Sequence, residues 1–305
     1  MISVLTVVAA GSAFTAVIYI IMKNLSDGDR MSRRELFDTH TEPQKHIALE
    51  SPELMERVLI IGDIHGCLDE LLDLLHASQY DPETTSVVLV GDLVNKVMLL
   101  CFEHFHHFCL QYVSCYQGPK SAECIQYCRK HGFYSVLGNH DVAAIEEYRS
   151  FKSSGVIGKK KYEYIKALSA DDFAWYSSLP YTITLPDFGC IVVHAGLLPN
   201  LRLEDQDPHD MVTMRNIKQD FKGNFLSMER PTDDSANWAE LWQGMHVYYG
   251  HDAKRGYQMH ENATGLDTGC AYGRKLTGIL LPEKRVIEVP ARMVYLDSNE
   301  KKRKK

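Results

Sequence analysis

Five short apolar segments, each ending near a glycine and a metal-binding type of residue, constrain this chain more than any other feature. They span residues 57–61, 86–90, 134–137, 190–193 and 246–249. Apolar runs of this length between turn residues are typical of buried strands, and leucines at helical spacing (Leu68, Leu71, Leu72, Leu75) follow the first run. Open α/β sheets bind ligands just beyond the carboxyl ends of their strands. The pattern therefore predicts an α/β fold with a binding site at the strand ends.

The residues that follow these segments carry carboxylate, amide or imidazole groups. Such groups suit divalent ions like manganese, iron and zinc. The adjacent glycines let the backbone turn sharply at each site. Two such ions about 3.5–4 Å apart can clamp a phosphoryl group, and a carboxylate is the natural bridge between them. Taken singly, each element is a common turn or helix cap, but all five in order indicate a dinuclear metal site. The candidate ligands are Asp63, His65, Asp92, Asn139, His194 and His251.

The five motifs resemble those of the calcineurin-like metallophosphoesterase superfamily over roughly residues 56–290. They read Gly-Asp-Ile-His-Gly from Gly62, Gly-Asp-Leu-Val-Asn-Lys from Gly91, Gly-Asn-His-Asp from Gly138, His-Ala-Gly-Leu from His194, and Gly-His from Gly250. The superfamily's protein phosphatases have Asp-Arg where this chain has Asn95-Lys96, and Arg in place of Leu137. These departures, together with the sequences of residues 266–270 and 249–256, resemble the pattern of the ApaH-like phosphatases. Bacterial members of that group split diadenosine tetraphosphate, and eukaryotic members include membrane-anchored endopolyphosphatases and mRNA-decapping enzymes.

This resemblance implies one α/β domain of two packed mixed sheets flanked by helices, and it assigns roles to the candidate residues. Asp63 and His65 would hold the first metal ion, and Asp92 would bridge to the second. Asn139, His194 and His251 would complete the second position. His140 would be the general acid that protonates the leaving oxygen, with Asp141 orienting it. The expected cofactors are two divalent ions of manganese, zinc or iron.

Basic residues near the motifs are candidates for phosphate binding. The resemblance makes Arg215 a phosphate-binding arginine, since a guanidinium can grip two phosphoryl oxygens. Lys96 would offer a point charge where relatives have arginine, and Lys254 and Arg255 follow the last ligand strand. Solvated surface charge is the alternative for these residues. The net charge of −7 makes duplex nucleic acid an unlikely partner, because nonspecific duplex binding needs a basic face.

The amino-terminal segment favours a membrane anchor. Residues 2–22 contain no charged side chain, and the length of this segment is close to the ~20 apolar residues that cross a bilayer as a helix. We therefore predict an anchor over 1–22, a polar tether over 23–55, the phosphoesterase domain over 56–290 and a basic tail over 291–305. A cleaved signal peptide is the alternative for the first segment. Together with the resemblance, the anchor favours a single-pass protein of a vacuolar or other endomembrane, with a cytoplasmic-facing arrangement as the alternative.

Two further features stand apart from the motifs. Residues 97–117 form an apolar block after Lys96, and joining Lys96 to Gly118 restores the ApaH-like pattern. The block is interpreted as a retained in-frame intron or as a genuine lid or docking insertion. The eight cysteines show no paired spacing typical of a metal knuckle, and Cys124 and Cys128 are spaced to share one buried helix face.

These observations predict a metal-dependent phosphohydrolase. Inorganic polyphosphate is the favoured substrate, because the anchor and compact domain look most like the polyphosphatases. Diadenosine tetraphosphate, capped RNA and phosphoprotein are the alternatives. The alternative outside catalysis is an inactive membrane-tethered binding protein, which the complete ligand set disfavours.

Overall fold

The computed structural model of the protein describes residues 45–51, 53–94 and 119–296. Their first sheet has five strands in the order β14-β13-β2-β3-β4. Strands β2, β3 and β4 are parallel, whereas β13 is antiparallel to both β2 and β14. In chain order, the ranges are β2 Arg57–Ile61, β3 Thr85–Leu89, β4 Tyr134–Ser135, β13 Lys275–Leu281 and β14 Arg285–Pro290.

The second sheet has six strands in the order β1-β5-β6-β10-β12-β11. Its central strands β6, β10 and β12 are parallel, so that their carboxyl ends lie at one edge. The outer pairs β5–β6 and β11–β12 are antiparallel. The ranges are β1 His46–Ala48, β5 Thr182–Leu185, β6 Cys190–Val193, β10 His246–Tyr249, β11 Gln258–Met259 and β12 Ala263–Gly265.

Alternation along β2 shows how the two sheets pack. Val58 and Ile60 belong to a core cluster that also contains Val192 and Tyr248 of the second sheet. Side chains of the opposite parity, such as Leu59, pack instead in the larger cluster with the helices. Successive side chains of a strand point to opposite faces. Each central strand is therefore buried on both faces, which explains why it reads as a continuous apolar run.

Helices cover the outer faces of the sheets. In α1, buried Leu71, Leu74 and Leu75 face the core, whereas Leu72 is exposed. Helix α4 begins at the predicted cap, because Ser169 accepts the N–H of Asp172 in a capping box. The helices are α1 Leu68–Ala77, α2 Ser121–Lys130, α3 Asn139–Ser154, α4 Ala170–Ser177, α5 Pro208–Thr213 and α6 Trp238–Leu241, with 3-10 helices at Lys160–Ala167, Pro186–Phe188, Leu203–Asp205 and Cys270–Tyr272.

All five predicted strands are confirmed, with ends shifted by one or two residues in β3 and β4. Two segments outside the predicted 56–290 domain pack with it. Residues 46–48, predicted as tether, form edge strand β1, which pairs in parallel with β5. Residues 292–296, predicted as tail, bond to α1 and to Ala271. Both segments are too short to show a period in the sequence.

A third, three-stranded antiparallel sheet was also missed. It comprises β7 Asn216–Gln219, β8 Phe225–Met228 and β9 Ala236–Asn237, in the order β8-β7-β9. Its strands are mostly half-exposed, so they lack the apolar runs that marked the others.

No helix within 45–51, 53–94 and 119–296 is long and apolar enough to cross a membrane. The predicted anchor over 1–22, residues Asn95 and Lys96, and the insertion over 97–117 lie outside the described residues. These interpretations stay predictions.

Candidate metal centre

The carboxyl ends of strands from both sheets bring the six predicted ligands together. Asp63 and His65 follow β2, Asp92 follows β3, Asn139 begins α3 after β4, His194 follows β6, and His251 follows β10. All except Asn139 are at most 9% exposed. The topology therefore accounts for the site, because parallel strands place their carboxyl ends at a common edge.

Asp92 lies at the centre of this group. Its Oδ2 is 3.6 Å from Nε2 of His65, 3.5 Å from Nε2 of His194 and 3.9 Å from Nε2 of His140. Two sets of possible metal ligands share it. One set comprises His65, Asp92 and His140, the other Asp63, Asp92 and His194, and the ligand atoms of each set lie within 4.8 Å of one another. A carboxylate shared in this way has the position that a bridging ligand needs.

Backbone carbonyls fix the orientation of the three ligand histidines. Nδ1 of His65 contacts the carbonyl of Val94 at 3.0 Å, and Nδ1 of His194 contacts that of Val90 at 2.9 Å. Because a carbonyl only accepts, each of these nitrogens carries the ring proton, so that Nε2 is the unprotonated nitrogen that a metal ion requires.

His251 is oriented the opposite way. Its Nε2 contacts the carbonyl of Thr213 at 3.0 Å, which leaves Nδ1 as the unprotonated nitrogen. That Nδ1 lies 3.1 Å from Nε2 of His194, which in turn lies 3.2 Å from Oδ1 of Asn139. Three lone pairs thus meet at one point. They repel one another unless a cation lies between them, so this donor set fits a metal ion.

Burial favours the uncharged form of each of these groups. It raises the pKa of Asp63, aided by Asp267 and Asp92, and it raises the pKa of Asp92, aided by Asp141. Burial also lowers the pKa of His194 to about 3 and that of His251 well below its ordinary value. The imidazoles are therefore neutral, as metal ligands must be. A divalent cation held by these residues would supply the charge that keeps both carboxylates ionised.

The ligand loops hold an unusual backbone. His65, Asp92 and His251 have φ values of 49°, 52° and 68°, in the left-handed region that side chains other than glycine rarely adopt. Such conformations cost on the order of 1–3 kcal/mol each and cluster at functional sites. Gly250 is required for another reason, since a Cβ there would lie 1.9 Å from Oδ1 of Asp63.

Asp141 supports the loop that carries Asp92. Its carboxylate accepts the N–H groups of Asp92, Leu93 and Gly138 at 2.7, 3.1 and 2.8 Å, and the hydroxyl of Tyr176 at 2.7 Å. These contacts indicate a structural role for Asp141, while the predicted orientation of His140 by Asp141 stays a prediction.

Asp267 belongs to the centre but was not among the predicted site residues. It is buried after the short strand β12, and its charge contributes to raising the pKa of Asp63. Burial raises its pKa, which again favours a nearby cation. Asp267 follows the end of β12, as the predicted ligands follow the ends of their strands. The sequence did not indicate this strand, because β12 reads Ala-Thr-Gly and is not an apolar run.

The predicted phosphate-binding residues differ in how close their side chains lie to the candidate metal centre. Arg215 lies against the centre, where its Nη2 donates to the carbonyl of His251 at 3.0 Å and its side chain is 33% exposed. Arg255 instead bonds Asp252 and Asn216, at 2.5 and 2.6 Å. Lys254 is exposed beside it. Only Arg215 of these three therefore has described contacts that place its charge at the metal ligands.

Comparisons with known proteins agree with this geometry. The calcineurin-like phosphoesterase family matches residues 56–268. The symmetrical bis(5'-nucleosyl)-tetraphosphatase of Aromatoleum aromaticum is 26% identical over 77% of this chain and 97% of its own length. The asymmetrical bis(5'-nucleosyl)-tetraphosphatase of Oceanobacillus iheyensis is 26% identical over 79% and 94%.

A solved structure shows the same fold. It is the crystal structure of a protein provisionally assigned as a diadenosine tetraphosphatase, with 31% identity and a TM-score of 0.67. The match covers 81% of this chain and 98% of that one. The motifs, the shared site at the strand ends and this likeness lead to one conclusion: the chain belongs to the calcineurin-like phosphoesterase family, whose members are metal-dependent phosphohydrolases that use two divalent ions.

Proposed function

We propose that this enzyme hydrolyses the phosphoanhydride bonds of dinucleoside polyphosphates such as diadenosine tetraphosphate. The observation that carries the catalytic part is the position of Asp92, which is shared between two groups of possible metal ligands. The substrate part is supported by the bis(5'-nucleosyl)-tetraphosphatases, which align over nearly their whole length. This substrate replaces polyphosphate, the one favoured by the sequence.

When bound, the two divalent ions supply Lewis-acid polarisation of the phosphoryl group and lower the pKa of a water molecule. Asp63, His65, Asp92, Asn139, His194 and His251 would hold them. The chain's own part is to keep these ligands in place through carbonyl contacts and buried carboxylates.

His140 is proposed as the general acid. Its Nε2 lies 3.9 Å from Oδ2 of Asp92, and its backbone N–H donates to Oδ1 of the same carboxylate at 2.9 Å. The side chain is 17% exposed, more than those of His65 and His194. His140 therefore borders both the centre and the solvent, where a proton donor to a leaving phosphate oxygen has to be.

Arg215 is proposed to bind a phosphate of the substrate. Its positive charge contributes to lowering the pKa values of His194 and His251, so it acts electrostatically on the centre. A polyphosphate bridge carries several negative charges, and a partly exposed guanidinium at the ligands can neutralise one of them.

Polyphosphate hydrolysis is the second candidate. It is favoured by the charge-free segment 2–22, which matches the anchor of the membrane-bound polyphosphatases. An endomembrane location is part of this second proposal. It ranks below the first because the segment lies outside the described residues and the tetraphosphatases align with the catalytic region itself.

A substrate panel tests the proposal. The full chain, supplied with manganese or zinc, is compared on diadenosine tetraphosphate, long-chain polyphosphate, capped RNA and a phosphopeptide at matched concentrations. We expect the highest kcat/KM on diadenosine tetraphosphate. Chromatography separates two ADP, the product of symmetrical cleavage, from ATP plus AMP. Faster hydrolysis of polyphosphate or of the phosphopeptide would contradict the proposal, and an Asp92→Asn variant controls for contaminating activity.

A further inference from the structure

A second cluster of metal-binding side chains lies outside the catalytic centre. It comprises Cys67 at the start of α1, Glu70 in the first turn of that helix, and Cys270 in the 3-10 helix after β12. Their exposed fractions are 1%, 0% and 1%. The two sulfur atoms and one carboxylate oxygen lie within 4.8 Å of one another. The phosphohydrolase mechanism uses none of them.

Glu70 is the unusual member of this cluster. Its Oε1 accepts the N–H of Arg292 and the hydroxyl of Tyr295, both at 2.8 Å. Its Oε2 is buried and has no hydrogen-bond partner among the described residues. An unsatisfied buried acceptor costs about 1–3 kcal/mol, and more when charged. A cation bound at Oε2 would remove this cost.

We propose that Cys67, Glu70 and Cys270 bind a third metal ion, zinc, which is structural rather than catalytic. Two thiolates and a carboxylate are ligands that zinc commonly takes, with zinc–sulfur distances of about 2.3 Å. The present spacing closes to such a site with small movements. On binding, each thiol loses its proton to solvent, and zinc forms one bond to each sulfur and one to Oε2.

The surroundings fit a closed site. Structural zinc is held by cysteine, histidine and carboxylate ligands, and the Tyr295 hydroxyl donates to Oε1 of Glu70, which holds that carboxylate in place. The chain folds over the cluster, since the N–H groups of Tyr295 and Leu296 donate to the carbonyl of Ala271 at 3.0 and 2.8 Å. The ion would therefore join α1, the 3-10 helix and the segment 292–296.

This site would also stiffen the catalytic loops. Cys67 lies two residues after His65, and Cys270 lies three residues after Asp267. A zinc ion between the two sulfurs would fix the loop after β2 to the loop after β12. The inference does not depend on the substrate proposed above.

Metal content tests the proposal on the full chain. The wild type, purified with zinc, is expected to retain three equivalents per chain, and Cys67→Ser and Cys270→Ser are expected to retain two. Cys190→Ser is the matched control, because Cys190 is equally buried but lies at the start of β6. It should retain three. A wild type with two equivalents, or cysteine variants that retain three, would overturn the proposal.

Cobalt replacement keeps the test decisive if the cysteine variants do not fold. The catalytic ligands contain no sulfur, so a thiolate-to-cobalt absorption band reports on cysteine ligands alone. The band should be present in the wild type, persist in His194→Ala, and change in wavelength in Glu70→Gln, which keeps both cysteines. Absence of the band from the wild type, or a Cys67–Cys270 disulfide found by mass spectrometry of the native protein, would refute zinc binding. Full catalysis by His194→Ala with the band retained would count against the catalytic assignment alone.

Discussion

The metal centre and the basic residues beside it were predicted from the same motifs, but the fold holds them differently. The candidate metal ligands follow strand ends, and nearly all of them are buried. Backbone carbonyls bond the three histidines among them, and the carboxylate of Asp63 accepts a backbone N–H. Arg255 and Lys254 are exposed, and Arg255 bonds protein acceptors. A short side chain at a strand end has its position set by the sheet. A long arginine side chain can reach several hydrogen-bond acceptors, and the sequence does not show which of them it bonds.

The largest effect is expected when the centre itself is broken. Asp92→Asn or His194→Ala removes part of the shared ligand set, so turnover should fall to background and metal content should drop. Metal analysis and initial rates on diadenosine tetraphosphate measure this. Asp171→Asn, which changes an exposed carboxylate of α4, should leave both unchanged. Full activity of Asp92→Asn would remove the basis for the dinuclear site.

A smaller loss is expected at the proposed general acid. His140→Ala should lower kcat by ~10²–10⁴-fold, the usual share of general acid catalysis, while metal content stays at the wild-type level. The exposed His76 provides the control substitution, His76→Ala. If His140→Ala lost its metal and His194→Ala kept it, the two roles would have been assigned the wrong way round.

The two arginines test the comparison directly. Arg215→Ala should lower kcat/KM by roughly 10–100-fold, which corresponds to the ~1.5–3 kcal/mol of a charge-assisted hydrogen bond. Arg255→Ala should mainly lower the melting temperature, because its partners are Asp252 and Asn216. Rates and thermal unfolding are measured on both variants. A larger loss of kcat/KM in Arg255→Ala than in Arg215→Ala would indicate that the phosphate binds beside the exposed residues after β10.

The smallest effect concerns the support beneath Asp92. Tyr176→Phe removes the hydroxyl that donates to Asp141 and leaves the backbone N–H donors. The free energy of unfolding should fall by about 1–3 kcal/mol, the cost of leaving a buried acceptor partly unsatisfied. Chemical denaturation measures it, with Tyr257→Phe at an exposed tyrosine as control. A large loss of metal with no loss of stability would mean that Asp141 acts on the ligands directly.

The sequence predicted β2, β3, β4, β6 and β10 because each lies in an apolar run, but it did not predict β13, which is also buried and lies between β14 and β2. It missed β1, β7 and β9, which are short and partly exposed, and therefore lack a period. The ligands followed from the strands, but Asp267 did not, since β12 has no such run. In α1 the leucine spacing found the helix but not its buried Glu70, which the fold places against Cys67 and Cys270. Contacts between residues so distant along the chain leave no local pattern.

The position of β13 has a consequence for biosynthesis. This strand pairs with β2, so that Ile61 meets Gly278. The strand that carries the first two ligands is thus flanked on one side by a segment made near the end of translation. Until that segment leaves the ribosome, β2 has an unpaired edge, and such edges invite association with other chains. Chaperone binding to nascent chains should therefore persist past the synthesis of His251. Metal bound before β13 is made would leave the edge of β2 unpaired.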